Sequence, residues 1–153
     1  MSSNFKSVQK ILIPTDGSTV ASKAARAGIK LAKSVGARVT GFHSIEPIWP
    51  RAYGEGYMIG RMTLAELDRR AREQGEQYLG RMRKLAKAAR VRFDSVCIAS
   101  DAPHKGIVDT ARKKHCDAIV MGSHGRGGPA GVILGSVTNK VLTQSKIPVL
   151  VYR

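Results

Sequence analysis

Acidic residues are scarce in this chain of 153 residues, where 11 Asp and Glu stand against 26 Lys and Arg and leave a formal net charge of +15. Cysteine is scarcer, with only Cys97 and Cys116 and no CxxC pair, which disfavours a disulfide framework or a zinc site. No apolar run approaches the roughly 20 residues of a membrane span. The first residues show no small-residue cleavage site, so we expect no secretory signal, no membrane partner and a cytoplasmic protein.

The excess positive charge is distributed along the chain rather than gathered in one block. Lys23, Arg26, Lys30 and Lys33 recur at helical spacing, as on the solvent-exposed face of an amphipathic helix. Aromatic residues make up only 5% of the chain, too few to indicate a stacking platform for bases. A nucleic-acid partner is therefore disfavoured, although a basic protein that associates with nucleic acid stays an alternative function.

Short apolar runs alternate with helical segments along the whole chain. Apolar residues at intervals of three and four predict helices at 19–35, 62–89, 103–115 and 135–145. Runs rich in β-branched residues predict five strands, at Val8–Pro14, Ala37–Ser44, Val91–Ala99, Asp117–Gly122 and Ile147–Tyr152. This alternation is typical of βαβ units, so we expect an α/β fold: one domain over residues 1–153, with a doubly wound five-stranded parallel sheet and helices on both faces.

The segments that follow the strands are the candidate sites, because ligands of open parallel sheets bind beyond the carboxyl ends of the strands. The first strand is followed by Thr15-Asp16-Gly17-Ser18, and the second by Ser44 and an irregular stretch, 46–60, which is interpreted as a mobile loop or lid. The fourth strand is followed by a segment from Gly122 to Ser136 that holds six glycines in fifteen residues. Candidate chemistry is concentrated in this last segment.

The glycine-rich segment has the properties of a phosphate-binding loop. Its glycines permit positive φ and leave main-chain N–H groups open to an anion. Gly135 and Ser136 come at the start of the final helix, where unpaired N–H groups and the helix dipole favour phosphate. The hydroxyls of Ser136 and Thr138 are candidate donors, and Arg126 is a candidate source of charge. The alternative is a glycine-rich surface loop that only turns the chain.

The spacing of this segment is its most specific feature. The Walker A pattern GxxxxGK[ST] is absent, whereas Gly122-x2-Gly125-x9-Gly135-Ser136 is present without insertion. The chain resembles the ATP-binding branch of the universal stress protein family through this spacing and through Lys-Ile-Leu-Ile-Pro-Thr-Asp (10–16), Phe-His-Ser (42–44), Cys-Asp-Ala-Ile-Val-Met-Gly-Ser-His-Gly (116–125), Gly-Ser-Val-Thr (135–138) and Ile-Pro-Val-Leu-Val-Tyr (147–152).

The resemblance implies the strand order 3-2-1-4-5, which brings the turn at Asp16 and the loop at Gly122 to one cleft. It implies that ATP, with Mg²⁺, is the ligand and that a homodimer forms through the last strand, Ile147–Tyr152. It implies that Asp16 lies near the ribose or a metal-bound phosphate and that the backbone of Ser44 meets adenine. The nucleotide-binding residues implied in this way are Pro14, Thr15, Asp16, Ser44, Met121, Gly122, Gly125, Arg126, Gly135, Ser136 and Val137.

Catalysis finds little support in the sequence. Asp16 has a competing interpretation as the N-cap of the first helix. His124 has no evident Ser or Cys nucleophile, and neither a carboxylate pair nor a general base is recognisable. The other histidines, among them His43, are interpreted as structural or surface residues. The sequence therefore predicts an ATP-binding regulatory protein of the stress response and no catalytic residue, with a slow ATP hydrolase or phosphotransferase on the same pocket as the alternative.

Overall fold

The computed structural model describes residues 7–47, 63–125 and 134–153. Strands and helices alternate along them in the order β1 (Lys10–Pro14), α1 (Thr19–Val35), β2 (Arg38–Ile45), α2 (Leu64–Ala88), β3 (Phe93–Ala99), α3 (Pro103–Lys113), β4 (Ala118–Gly122), α4 (Ser136–Gln144) and β5 (Val149–Tyr152). Each predicted helix and strand is confirmed, with ends that differ by at most two residues. None of the helices in these three ranges is both long and apolar enough to cross a membrane.

The five strands form one parallel sheet in the order β3-β2-β1-β4-β5. This order confirms the doubly wound fold. From β1 the chain moves outward through β2 to β3, and it then crosses back to place β4 on the other side of β1. The reversal between β1 and β4 leaves a crevice at their carboxyl ends, which is where this class of sheet binds ligands.

Helices cover both faces of the sheet, and β1 contributes to the core on each. Ile11 and Ile13 point to the face covered by α1 and α2, where they pack in one cluster with Leu79. Leu12 points to the face covered by α3 and α4 and packs with Phe42. Successive side chains of a strand alternate between faces, so a central strand buried on both sides needs an uninterrupted apolar run.

Helix α3 begins without a side-chain cap. Its N-cap is Ala102, which makes no side-chain capping bond, although Ser100 and Asp101, both of capping residue types, precede it. The Ser100 hydroxyl oxygen instead accepts the backbone N–H of Ala102 at 3.1 Å. Pro103 occupies the first turn and has no backbone N–H. This end of the helix therefore has one N–H group fewer that needs a hydrogen-bond acceptor.

Asp94 ties β3 to its neighbours near the amino-terminal edge of the sheet. The buried hydroxyl of Thr40 donates to Asp94 Oδ1 at 2.6 Å, and Lys114 Nζ donates to Oδ2 at 3.0 Å. Partial burial disfavours the charged form of Asp94, but the hydrogen bonds from Thr40 and Lys114 outweigh it and lower the pKa of this carboxyl group.

Replacing Asp94 by asparagine is expected to lower the free energy of unfolding at pH 7, and by less as the pH falls. Because the pKa of Asp94 is lower in the folded chain than its ordinary value of 3.8, its stabilising effect is present above that value and is lost as the pH falls through the folded pKa. Urea unfolding across about pH 3 to 7 measures the difference. Asp109→Asn is the control, because within residues 7–47, 63–125 and 134–153 the one ion-pair partner of Asp109 is the exposed Arg112. A loss for Asp94→Asn that is independent of pH would contradict the prediction.

Candidate functional site

A cleft of about 820 Å³ opens beyond the carboxyl ends of β1, β2 and β4. Ten of the eleven residues implied by the family resemblance line it: Pro14, Thr15, Asp16, Ser44, Met121, Gly122, Gly125, Gly135, Ser136 and Val137. The eleventh, Arg126, lies outside the described residues. Of the stretch 46–60 that the sequence analysis interpreted as a lid, Glu46 lines the cleft, and residues 48–60 lie outside the described ranges.

The Asp16 carboxylate faces the glycine-rich loop from the turn between β1 and α1. Its Oδ1 accepts the backbone N–H of Ser18 at 3.0 Å, and its Oδ2 lies where a Cβ atom on Gly125 would have to be. The N-cap of α1 is Ser18, whose hydroxyl oxygen accepts the N–H of Ala21 at 3.1 Å. The interpretation of Asp16 as the N-cap is therefore wrong, and its carboxylate belongs to the cleft.

The motif glycines are required by close packing. A Cβ atom on Gly122 would lie 2.8 Å from Cγ1 of Val20, and one on Gly135 would lie 3.0 Å from the Cα atom of His124. Gly125 is closed to a side chain by Asp16, as described above. None of these three glycines has a positive φ, so at these positions the missing side chain matters for packing rather than for left-handed backbone. Gly122 and Gly125 let the β4–α4 connection lie against α1 and the β1–α1 turn, and Gly135 lets the two ends of that connection meet at Ser123 and His124.

Helix α4 presents its amino terminus to the cleft. Its N-cap, Gly135, has no side chain to cap the first turn, and the N–H of Gly135 donates to the carbonyl oxygen of Ser123 at 2.6 Å. The next three N–H groups, those of Ser136, Val137 and Thr138, have no acceptor within the helix, whereas the N–H of Asn139 already donates to the carbonyl oxygen of Gly135. These three N–H groups lie at the positive end of the helix dipole. Thr138, which was expected to donate to phosphate, is buried, and its hydroxyl donates to the carbonyl oxygen of Gly122 at 2.8 Å; that expectation is wrong.

Two rings that the sequence analysis did not assign to the site support the β1–α1 turn. Nδ1 of His43 lies 2.8 Å from the carbonyl oxygen of Thr15, so this nitrogen carries a proton and donates it. The His43 ring meets the Tyr78 ring edge-on, with 5.4 Å between centroids. Gly17, at φ +80°, lies so close to the Tyr78 ring that no Cβ atom fits. His43 thus lines the cleft and stabilises its wall through the contact with Thr15. Tyr78 lies in the middle of α2, and its neighbours in the sequence do not indicate that it contacts this turn.

Ser123 and His124 form a hydrogen-bonded pair at the start of the glycine-rich loop. Ser123 Oγ lies 3.0 Å from Nδ1 of His124, a contact between neighbours that the sequence analysis did not consider. Ser123 is only 2% exposed, and a nucleophile must reach its substrate. The pair therefore orients the His124 ring, which lines the cleft.

Ser44 contributes a buried hydroxyl to the opposite end of the cleft. Its Oγ atom has no hydrogen-bond partner among the described residues, and leaving a buried hydroxyl unsatisfied costs roughly 1–3 kcal/mol. Phe42 and Ile107 belong to the core cluster on the sheet face covered by α3 and α4, and both also line the cleft. This end of the cleft therefore combines apolar surface with a hydroxyl free to meet a polar group of a ligand.

Negative charge on the described part of the cleft comes from three carboxylates, those of Asp16, Glu46 and Asp101. No group of three His, Cys, Asp or Glu side chains that could hold a metal ion occurs in residues 7–47, 63–125 and 134–153. A divalent cation at Asp16 would therefore need further ligands from a bound phosphate or from water, which is the usual coordination of Mg²⁺ in nucleotide sites.

Fold and cleft together define a doubly wound α/β protein whose ligand site lies at the reversal of strand order, between a backbone loop and a helix amino terminus. The model of the universal stress protein family matches residues 7–153, and the chain belongs to this family. A universal stress protein of Methanocaldococcus jannaschii is 32% identical over 148 residues, which cover 95% of this chain and 82% of that protein.

Solved structures share the fold. The structure of hypothetical protein MJ0577, a universal stress protein of Methanocaldococcus jannaschii, superposes with a TM-score of 0.77 at 28% identity, covering 96% of each chain. A universal stress protein in complex with cAMP superposes with a TM-score of 0.66 at 23% identity, over 97% of this chain and 98% of that one. One from Archaeoglobus fulgidus in complex with dAMP superposes with a TM-score of 0.67 at 20% identity, over 97% of this chain and all of the other.

Proposed function

We propose that this protein is an ATP-binding regulatory protein of the stress response, in which occupancy of the cleft sets its conformation or its partners. The observation that carries the proposal is the amino terminus of α4, whose N-cap is a glycine without a capping side chain and which faces the cleft beside Gly122 and Gly125. Unpaired N–H groups at the positive end of a helix dipole are a built anion site. The adenine nucleotides bound by two structural relatives support a nucleotide as that anion.

The other end of the cleft supports adenosine as the rest of the ligand. A volume of about 820 Å³ lies in the range of small-molecule sites. Phe42 and Ile107 line this end of the cleft with 1% and 3% of their surface exposed, so each offers a base only a small apolar contact. The hydroxyl of Ser44, which has no partner among the described residues, offers a polar contact. The adenosine end and the phosphate end are thus distinct in chemistry, and their arrangement favours one orientation of a nucleotide.

Mg²⁺ enters the proposal with the nucleotide. Asp16 is the carboxylate that faces the glycine-rich loop, and one carboxylate with phosphate oxygens and water is a common Mg²⁺ environment. The ion would screen the repulsion between Asp16 and the phosphates. We therefore expect tighter binding of ATP with Mg²⁺ than without it.

The proposal assigns the protein no rapid turnover of ATP. The Asp16 carboxylate in the cleft already accepts a backbone hydrogen bond from Ser18, and Ser123, which lies just behind the cleft lining, is buried. Phosphoryl transfer depends on charge stabilisation and on a positioned nucleophile; the backbone N–H groups contribute to the first, and these side chains do not provide the second. Slow hydrolysis on the same pocket is the alternative.

A homodimer through the last strand is part of the same proposal. Strand β5 is at the edge of the sheet, and Leu150 within it is 49% exposed. An edge strand with unpaired backbone groups and an exposed apolar side chain is suited to pairing with a second copy. A cytoplasmic location stays a prediction from the sequence.

Isothermal calorimetry with ATP tests the proposal directly. We expect saturable binding with a dissociation constant below about 1 mM, which corresponds to a binding free energy of roughly −4 kcal/mol or better, and weaker binding when EDTA removes Mg²⁺. Ser136→Ala is expected to reduce affinity, while Ser34→Ala, on an exposed serine of α1 away from the cleft, is the matched control.

Two results would contradict the proposal. The absence of heat at several millimolar ATP would exclude the nucleotide site. Phosphate release over many turnovers from the same samples, measured with radiolabelled ATP, would instead favour the enzymatic alternative. Release stoichiometric with protein, or none, is the expected outcome.

A further inference from the structure

A second groove, of about 550 Å³, lies at the amino-terminal edge of the sheet, opposite the cleft. It is formed where α1 and α2 end and where β2 and β3 begin. None of its lining residues is acidic, and four of them are basic: Lys33, Arg38, Arg90 and Arg92. Basic residues that were far apart in the sequence thus surround one concave surface.

Most of this positive charge is not used by the fold. Lys33 Nζ donates to the carbonyl oxygen of Ala89 at 2.8 Å, as expected for a cation at a helix carboxyl end. Arg38, Arg90 and Arg92 are exposed, and within the part of the chain that the structure describes none of them has an ion pair. This contrasts with the paired guanidinium groups on the outer helix faces, those of Arg69, Arg72 and Arg112.

Two acidic residues at this edge of the sheet, Asp94 and Asp117, are committed elsewhere. Asp94 bonds with Thr40 and Lys114, and the Asp117 carboxylate accepts the backbone N–H groups of Gln9 and Lys10, both at 2.9 Å. Neither carboxylate pairs with a groove arginine. The three guanidinium groups therefore present their donors to solvent.

Arg90 occupies a backbone position that does not favour arginine. Its φ is +57°, directly after the C-cap of α2, where glycine is the usual residue because a Cβ atom is strained there. The first helix places Gly36 at its equivalent end, at φ +73°. Strain retained at a non-glycine residue is an observation that calls for a function of the side chain.

The fold also separates charge between the two edges of the sheet. Each passage from a helix to the next strand carries Lys or Arg at this edge, in residues such as Lys87, Lys113 and Lys146. At the opposite edge, the charged side chains on the described strand-to-helix connections are those of Asp16 and Glu46 and of Asp101. Over the described residues, the cleft edge is therefore negative, and the groove edge is strongly positive.

We propose that this basic groove binds the phosphate backbone of duplex nucleic acid, without sequence specificity. Exposed, unpaired guanidinium groups fit phosphate oxygens in bidentate geometry. The described lining includes no aromatic residue to stack on unpaired bases, which disfavours single strands. Its apolar residues Ala32, Ala37 and Val91 are buried, so the groove offers little to a peptide or to a lipid surface beyond charge. A duplex carries one charge per about 1.7 Å and is recognised through charge alone.

The test measures fluorescence anisotropy of a labelled random-sequence duplex of about 20 base pairs over a range of salt concentrations. The first variant is Arg38→Gln/Arg90→Gln/Arg92→Gln. The matched control is Lys23→Gln/Arg26→Gln/Lys30→Gln, which removes three exposed charges from the outer face of α1. Both variants lower the formal net charge of +15 by the same amount, so only the position of the charge differs.

Loss of three phosphate contacts is expected to reduce the slope of log K against log salt by about 3 and the affinity near 0.1 M salt by roughly 100-fold. The control variant is expected to keep nearly the wild-type salt slope and affinity. Thermal melting shows whether the groove variant and the control variant are folded. An unchanged slope in the groove variant, or an equal loss in the control, would overturn the proposal. So would binding of anionic vesicles or a polyglutamate peptide in preference to the duplex. ATP affinity of the groove variant is expected to equal that of the wild type, which keeps this result separate from that of the nucleotide site.

Discussion

Replacing Gly122 by valine is expected to weaken ATP binding by about 100-fold. The Cβ atom alone would lie 2.8 Å from Cγ1 of Val20, and the two branches beyond it leave the loop no position against α1. The loop must move away, and the N–H groups that it shares with the start of α4 lose their alignment on one phosphate. A hydrogen bond to a charged group contributes roughly 1.5–3 kcal/mol, so the loss of two costs about 3 kcal/mol or more. A 100-fold increase in the dissociation constant corresponds to about 2.7 kcal/mol.

Gly80→Ala is the matched control for this prediction. Gly80 lies in α2, and a Cβ atom there meets nothing within 4 Å. Alanine removes conformational freedom of the unfolded chain and favours the helix, so we expect a gain of roughly 0.5–1 kcal/mol in stability and unchanged ATP affinity. Calorimetry measures the affinity, and urea unfolding shows whether Gly122→Val still folds. If Gly122→Val does not fold, Gly125→Ala, which places a methyl group against Asp16, is the second variant. Wild-type affinity in both loop variants would contradict a phosphate site at this loop.

Replacing Tyr78 by alanine is expected to lower the free energy of unfolding by about 3–5 kcal/mol, as is typical for a buried aromatic ring. Tyr78 is 7% exposed, and its ring packs under Gly17 and against His43. Such a loss is a large share of the 5–15 kcal/mol that stabilises an ordinary domain. The cavity would also release the β1–α1 turn, which carries Asp16, so ATP affinity is expected to fall as well.

Tyr78→Phe separates the contribution of the ring from that of the hydroxyl. The ring remains in place, so the loss is expected to be about 1 kcal/mol, as for a single hydrogen bond. Urea unfolding at constant slope gives both values. If Phe and Ala reduced stability equally, the ring packing described here would not be what supports the turn.

The sequence predicted most of the fold because its signals are local. The continuous apolar run of β1 reflects a strand that is buried on both faces, and the glycine spacing around Gly122 reflects close packing within a single connection. Errors occurred where a local rule met a competing contact. Asp16 belongs to a residue type that often caps helices, but Ser18 is the N-cap of α1. The hydroxyl of Thr138 donates its proton to the carbonyl oxygen of Gly122, so that proton is not available to a ligand.

The part of the site that was missed depends on contacts between distant residues. His43 and Tyr78 come from β2 and α2, and they meet because the sheet order places both beside the β1–α1 turn. Neither residue has neighbours in the sequence that indicate this contact. Ser44 is similar: the resemblance pointed to its backbone, while burial of its hydroxyl without a partner is a property of the packed structure.

The sequence by itself determined the scarcity of acidic residues, the alternation of strands and helices and the spacing of the phosphate loop, since each is a property of the chain read in order. Only the tertiary structure decided where the positive charge lies. Along the chain it looks evenly distributed, but parallel connections return each helix to the same edge of the sheet, and basic residues at successive helix ends therefore gather there. The strand order brings Arg38, Arg90 and Arg92 together on one surface, opposite the cleft at which the backbone N–H groups of α4 are the proposed phosphate site.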